Sequence, residues 1–310
     1  MESLHELSAN TQKLQNLIWT MEVTMDYKKL ISNRKSVRDY KKKSLRDEDI
    51  RELKNYVDKA KKLAADIEVE AIAMGKEVFE NLSGKAGYQG FMLDAPNYII
   101  LLSEKKDNYI KNAGYIGEEI VLKALDMQIG SCWVTFNDSD LVKSSLGIES
   151  DKEVVAIIAL GYDANKTKII NIHKIGENES KTKLAKVADN VSERLGVEDV
   201  VYLNSWGNIT TADELENRAL LNAFHYARLA PSTLNRQPWR FILDDDIVVL
   251  AVRDDEHTGT YEEEIDSGIV MLYFEAIVDA TLTDITWKLN PPEKNYNIPE
   301  DYVIVGYCNI

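Results

Sequence analysis

The sequence predicts an α+β fold made of two related halves. Three observations carry this reading. The chain has 310 residues, enough for about two domains. The order helix, turn, strand, long helix, strand is read twice along it. The two stretches richest in site chemistry, Arg34-Lys35-Ser36-Val37-Arg38 and Pro231-Ser232-Thr233-Leu234-Asn235-Arg236-Gln237-Pro238-Trp239, stand about two hundred residues apart, one in each half.

The elements follow in order. Met25-Asp26-Tyr27 is read as the start of the fold, and residues 1–26 as an extension built around Leu14, Leu17, Ile18 and Met21. Tyr27 to Ile31 forms a short helix. A second helix begins after Ser44, where Ser44-Leu45-Arg46-Asp47 has the shape of a capping box and Ile50, Leu53, Val57 and Ala60 follow at helical spacing. Residues 66–80 read as more helix, ended by Gly84, Gly87 and Gly90. Asn97 to Ser103 is a continuous apolar run, as in a buried strand. Asn112 to Gln128 is a helix with Ile116, Ile120 and Ala124 inward, and Gly130 is its left-handed cap. Cys132 to Phe136 and Val154 to Leu160 are strands. In the second half, Thr210 or Thr211 caps a helix running through Leu215, Ala219, Ala223 and Ala227. Trp239 to Leu243 and Ile247 to Val252 form a hairpin about Asp244-Asp245-Asp246. Asp266 to Ala280 is a helix with a glycine at its start, and Tyr302 to Tyr307 is a terminal strand. The halves are placed at 27–190 and 205–310, joined by a polar, weakly patterned crossover.

Composition narrows the function. Hydrophobic residues make up 45% and charged residues 29%, as in an ordinary soluble protein. No apolar run approaches the roughly 18 residues of a membrane span, and Met1 to Asn10 is no secretory leader. Cys132 and Cys308 fit a reducing compartment, so a cytoplasmic location is expected. A net charge of −15 argues against nucleic acid and anionic membranes as partners. Against that background, Lys28 to Arg46 holds nine Lys/Arg and one acid, Asp39. Two readings stand, a solvated basic face or an anion site with guanidinium groups as bidentate donors.

Several motifs fail. Gly84-x-x-Gly87-x-x-Gly90 has the wrong spacing for a dinucleotide loop and precedes a strand. Gly176 to Thr182 lacks the second glycine of a phosphate loop. His5, His173, His225 and His257 are scattered, so no metal site is expected. No Ser or Cys stands in a nucleophile setting.

Others succeed. In an extended Arg34–Arg38 segment, Arg34, Ser36 and Arg38 share one face. Two prolines constrain the loop Pro231 to Trp239, while Ser232, Thr233 and Asn235 supply neutral donors and acceptors. Ile129-Gly130-Ser131-Cys132-Trp133 follows the long helix, and its small residues allow close backbone approach. It also reads as a helix cap with a buried Cys and Trp. Lys181-Thr182-Lys183 is a late basic pair and also reads as an exposed basic cluster.

These segments resemble the parts of the flavin mononucleotide (FMN) site in the nitroreductase family. There the Arg-x-Ser-x-Arg/Lys segment comes from one subunit and the Pro-Ser-x-x-Asn loop from its partner. Ile129 to Trp133 resembles the Gly-x-Gly-Thr-Cys-Trp stretch of one branch, with Gln128 for the first glycine. Lys181-x-Lys183 matches in spacing the family's late Lys/Arg-x-Arg pair. Tyr27 to Ile310 is similar overall to a branch in which one chain stands in for the usual dimer. The resemblance implies a nitroreductase-like fold as an intrachain pseudo-dimer, with FMN as cofactor. It implies contacts from Arg34, Lys35, Ser36, Arg38, Gly130, Ser131, Cys132, Lys181, Lys183, Pro231, Ser232, Thr233 and Asn235, with Gln237 and Trp239 supporting the loop. The activity implied passes electrons from NAD(P)H through the flavin to a nitroaromatic, quinone or similar small acceptor. The flavin carries that chemistry, so no catalytic residue is named. A flavin-binding sensor or storage protein is the alternative. Neither half repeats the other's motif, so one complete site is expected per chain, in a monomer or a weak homodimer.

Overall fold

Apolar residues fill two sheets and the two long helices between them. The computed structural model describes residues 25–164, 168–172, 181–185, 193–254 and 259–310, the two short internal segments as backbone only. Residues 1–24, with Leu14, Leu17, Ile18 and Met21, lie outside the described residues, as does the failed phosphate-loop stretch up to Ser180.

The first half contains α1 (Tyr27–Asn33), α2 (Asp47–Tyr56), β1 (Val69–Met74), α3 (Glu77–Leu82), β2 (Asn97–Ser103), α4 (Tyr109–Asp126), β3 (Gly130–Val134), α5 (Ser139–Leu146) and β4 (Glu153–Gly161). A hairpin of β5 (Lys168–Ile172) and β6 (Lys181–Ala185) follows. Then come α6 (Val197–Val200), β7 (Val201–Leu203), α7 (Ala212–Asn217), α8 (Leu221–Ala227), a 3₁₀ turn (Thr233–Asn235), β8 (Trp239–Asp244), β9 (Ile247–Arg253), α9 (Thr260–Thr281) and β10 (Tyr302–Asn309).

The first sheet has the order β1-β2-β4-β3 and the second β10-β9-β8-β7. Within each, the paired strands run antiparallel except β7, which lies parallel to β8. Strand alternation separates the layers. Ile99 and Leu101 of β2 face the central core, as do Trp239, Phe241 and Leu243 of β8. Tyr98, Ile100 and Leu102 point the other way, into a second core with Val78 and Leu82 of α3. Ile242 and Val249 face a third cluster with Tyr296.

Helices α4 and α9 cross at glycines. A Cβ on Gly268 would overlap the Lys111 carbonyl oxygen and lie 2.8 Å from the Tyr115 nitrogen. One on Gly114 would lie 2.9 Å from the Ile265 Cα. Among the described residues, no helix is long and apolar enough to cross a membrane and no side-chain group could hold a metal.

Five local expectations need correction. The second helix begins at Asp47 with Arg46 as its N-cap and no side-chain cap, so Ser44 does not form a capping box. Residues 66–80 are not one helix. Val69 and Ala71 are buried and Glu70 is exposed, a period of two set by pairing with β2, which overrides the helix-forming Ala and Glu residues. The left-handed residue closing α4 is Gln128, at φ 61°. Gly130 instead starts β3, where a Cβ would meet the Val37 side chain at 2.8 Å. The helix capped by Thr211 breaks at Ala219, φ 58°, into α7 and α8. Finally, α9 begins at Thr260, so Gly268 lies inside it, at the crossing.

Candidate functional site

The Arg34–Arg38 segment closes the open edge of β3. Ser36 pairs in parallel with Ser131, and the Val37 amide donates to the Ser131 carbonyl at 2.9 Å. Val37 is buried, which turns Arg34, Ser36 and Arg38 to the other face. The Cys132 thiol is close to Ser36, Arg34 and Arg38. Burial pushes its thiol pKa up, against the pull of both guanidiniums and the Ser36 hydrogen bond.

Arg34 runs inward. Its Nε donates to Glu118 Oε1 at 3.1 Å and its Nη1 to Ser36 Oγ at 3.4 Å. Glu118, fully buried on α4, also accepts from Tyr273 Oη of α9 at 2.8 Å and Trp133 Nε1 of β3 at 2.7 Å. Gly117 makes room for the indole, since a Cβ there would lie 3.0 Å from Trp133 Cζ2 and closer still to Cη2.

The Pro231–Trp239 loop approaches from the second half. Leu234, Asn235 and Gln237 all have positive φ, at 55°, 58° and 52°. Such backbone is costly for residues other than glycine and persists where its surroundings enforce it. Here Asp266 of α9 does so, accepting from the Thr233 amide at 2.9 and 3.1 Å. Burial drives the Asp266 carboxyl pKa far up, although the Thr233 amide pulls it down. Ser232 Oγ accepts from the Gln237 amide at 2.9 Å.

Residues 193–195 meet this loop. Arg194 Nη1 donates to Asn235 Oδ1 at 2.5 Å, and Asn235 Nδ2 donates to the Glu193 carbonyl at 3.0 Å. The Leu195 amide donates to Gln237 Oε1 at 2.9 Å. Arg228, at the end of α8, donates from Nη1 to the Leu195 carbonyl at 3.0 Å. Its buried Nε has no hydrogen-bond partner among the described residues. Burial lowers the Arg194 pKa, and its neighbours Arg34 and Arg228 lower it further. For Arg34 burial also opposes the charge, but Glu118 and Tyr273 overcome it and the pKa rises. Arg194 and Arg228 thus meet at residues 193–195, and Arg34, bound to Glu118, is near enough for its charge to act on Arg194. A further anion is the group such an arrangement accommodates. The guanidiniums and the hydroxyls of Ser36 and Ser131 fit a phosphate-bearing, polyhydroxylated cofactor.

The family model described as "Putative TM nitroreductase" matches residues 26–278. This chain belongs to that family. A Thermotoga maritima protein described as a "putative nitroreductase" has a similar fold. It is 18% identical, with a TM-score of 0.54, and the match covers 92% of this chain and 94% of that one. An "FMN-dependent Nitroreductase" from Clostridium difficile R20291 is 24% identical over 46% of this chain and 90% of its own, with a TM-score of 0.39. A nitroreductase family protein from Streptococcus pneumoniae TIGR4 is 17% identical over 50% and 100%, with a TM-score of 0.40. No curated protein matches the chain.

The nitroreductase-like segments singled out in the sequence converge in part. Arg34, Ser36, Ser131 and Cys132 are adjacent, and Asn235 is bonded to Arg194, whose charge is disfavoured by Arg34. Arg38 is exposed on the same face. Lys35 alternates outward and pairs with Asp163 at 3.0 Å. Gly130 gives the space that Val37 fills. The hydrogen bonds of Ser232, Thr233 and Asn235 serve the loop itself, and Pro231 enters it beside buried Ala230. Gln237 braces residues 193–195, and Trp239 is buried in the central core. Lys181 and Lys183 stand on β6, and their side chains lie outside the described residues. Arg194, Arg228 and Glu118 are additional site residues that the motifs did not point to. Arg194 stands just before the apolar positions Leu195 and Val197 that return the chain to the second sheet. That change from a polar to a structured stretch was its signal in the sequence.

Proposed function

We propose that this chain is an FMN-dependent oxidoreductase with one flavin site between two related halves, 27–190 and 205–310. The observation that carries the reading is that Arg194 and Arg228 are bonded at the strained Pro231–Trp239 loop and residues 193–195, while Arg34 is held by Glu118 on the segment paired with β3, near enough for its charge to act on Arg194. In this reading their guanidinium groups hold the phosphate. Ser36 and Ser131 offer hydroxyls toward the polyol chain. Asp266 and residues 193–195 keep the loop in its strained form, so the site is preorganised before ligand arrives. FMN bound there supplies the acceptance of hydride from NAD(P)H and the delivery of electrons to a nitroaromatic, quinone or similar acceptor. The protein's part is to bind, orient and exclude water.

Duplication is supported by correspondences between the halves. Asn112 Oδ1 of α4 accepts from the Ala64 amide at 3.1 Å, as Asp266 of α9 accepts from Thr233. Asn112 and Asp266, Gly114 and Gly268, and Trp133 and Trp287 are three pairs, each the same distance apart along the chain. By that spacing Val121 and Leu125 correspond to Glu275 and Asp279. The first two line a cleft with Arg34, Gly130 and Ser131. The second two are ion-paired to Lys61, whose ammonium also donates to the Ile285 carbonyl at 3.3 Å. Carboxylates and a paired lysine thus stand where the first site has its cleft. They disfavour a phosphate, and one site per chain follows.

Anaerobic mixing of FMN-loaded protein with NADH and with NADPH tests the activity. Bleaching of the flavin absorbance by either, followed by recovery on adding a nitroaromatic or quinone, is the result expected. Flavin that neither nucleotide reduces contradicts the enzyme and favours a binding protein.

A further inference from the structure

Glu118 gathers more of the site than any sequence motif does. It accepts from the Arg34 segment, from Trp133 of β3 and from Tyr273 of α9. A buried carboxylate persists only with such partners. Two oxygens receive three donors, Oε1 taking Arg34 and Tyr273 and Oε2 taking Trp133. Only a carboxylate can do this. An amide has one accepting oxygen, so a glutamine would turn N–H groups toward at least one of these donors.

The charge matters as well. Arg34 is close enough to Arg194 to disfavour its charge. Glu118 offsets that repulsion and engages Arg34 through Nε. A guanidinium has five N–H donors, so the Nη groups of Arg34 remain available beyond the contact with Ser36. Tyr273 comes from the second half, so the carboxylate is completed only when α9 is docked against α4.

We propose that Glu118 is the positioning residue of the anion site. It fixes the Arg34 guanidinium for the phosphate and makes its orientation depend on the docking of the two halves through Tyr273. The inference rests on the FMN reading above, and its test separates the two. FMN and riboflavin are titrated into the flavin-free protein and into Glu118→Gln, with binding followed by flavin fluorescence. Riboflavin lacks the phosphate, so a residue acting through Arg34 affects the two ligands unequally. Glu118→Gln is expected to weaken FMN by about tenfold or more, the scale of one charge-assisted hydrogen bond. Riboflavin affinity should change much less. Equal losses for both ligands overturn the inference and assign Glu118 a purely structural role. FMN affinity within about twofold of the parent also overturns it. Should the parent bind neither flavin, the FMN reading itself fails. Tyr273→Phe keeps the carboxylate and serves if Glu118→Gln does not fold. It should lower the FMN-to-riboflavin affinity ratio by a few-fold, and an unchanged ratio contradicts the coupling to α9.

Discussion

Gly268→Ala probes the crossing of α4 and α9. The added methyl group would overlap the Lys111 carbonyl oxygen and lie 2.8 Å from the Tyr115 nitrogen. Both are backbone atoms of α4, so no side chain can rotate away. Ordinary contact begins near 3.5 Å, so reaching it at the Lys111 carbonyl oxygen takes a shift of roughly 1.5 Å. A gap of about 1 Å already forfeits a quarter to a half of each dispersion contact along the crossing. Overpacking of this kind costs about 1–3 kcal/mol, and a backbone clash belongs at the upper end. Alanine returns about 1 kcal/mol as the better helix former. The net expectation is a loss of about 2 kcal/mol, or about 3 °C in Tm for a chain of this size. Thermal unfolding followed by circular dichroism measures it. Tyr273 lies further along α9 and bonds Glu118 at 2.8 Å, so the same variant should bind FMN less tightly. A Tm equal to or above the parent's would refute the crossing as described.

Three other changes test separate parts of the account. Arg194→Ala removes a guanidinium that leans on Asn235 and should weaken FMN about 10- to 100-fold by equilibrium titration; unchanged affinity removes Arg194 from the anion site. Asp266→Asn keeps an acceptor for the Thr233 amide, as Asn112 does for Ala64, and should stay within about 1 kcal/mol in denaturant unfolding, while Asp266→Ala should cost about 2 kcal/mol or more; equal effects contradict the latch. Burial raises the Glu275 carboxyl from 4.5 to about 7, although Lys61 pulls it down. Partial burial opposes the Lys61 charge, but Glu275 and Asp279 outweigh it and raise its pKa; burial acts chiefly on the acid, whose side chain is 3% exposed against 46% for Lys61. Between those pH values the folded protein holds a proton that the unfolded chain has released. This stabilisation is therefore full below about 4.5 and is lost as pH rises through about 7, a change of about 3 kcal/mol. Glu275→Gln should flatten the stability profile across that window, and a slope identical to the parent's contradicts the assignment.

Much of the fold was legible because burial on both faces leaves an unbroken apolar run. Asn97 to Ser103 and Val154 to Leu160 became β2 and β4 nearly to the residue. Residues 66–80 misled because Ala, Glu and Met favour helix, and only pairing with β2 makes Val69 to Met74 a strand. The break at Ala219 was hidden because alanine carries no turn signal, yet it takes φ 58° there. At the site, the two motifs were visible because their residue types are chemically unusual for their surroundings. Glu118 was not, since an acid within a long helix reads as a solvated face until its donors arrive from β3, α9 and the Arg34 segment. Arg194 lacked a motif for the same reason, because its partners Asn235 and Arg34 are brought to it only by the fold.

The most direct test of the account is the amount of FMN bound per chain. Protein saturated with FMN, freed of excess and then denatured to release its flavin gives the count from the visible spectrum. One FMN per chain is the result predicted, because Arg194 and Arg228 meet at residues 193–195 with Arg34 near enough to act on Arg194, and Lys61, Glu275 and Asp279 stand at the corresponding other place. Two per chain would contradict the single-site reading, and none after saturation would remove the flavin site altogether.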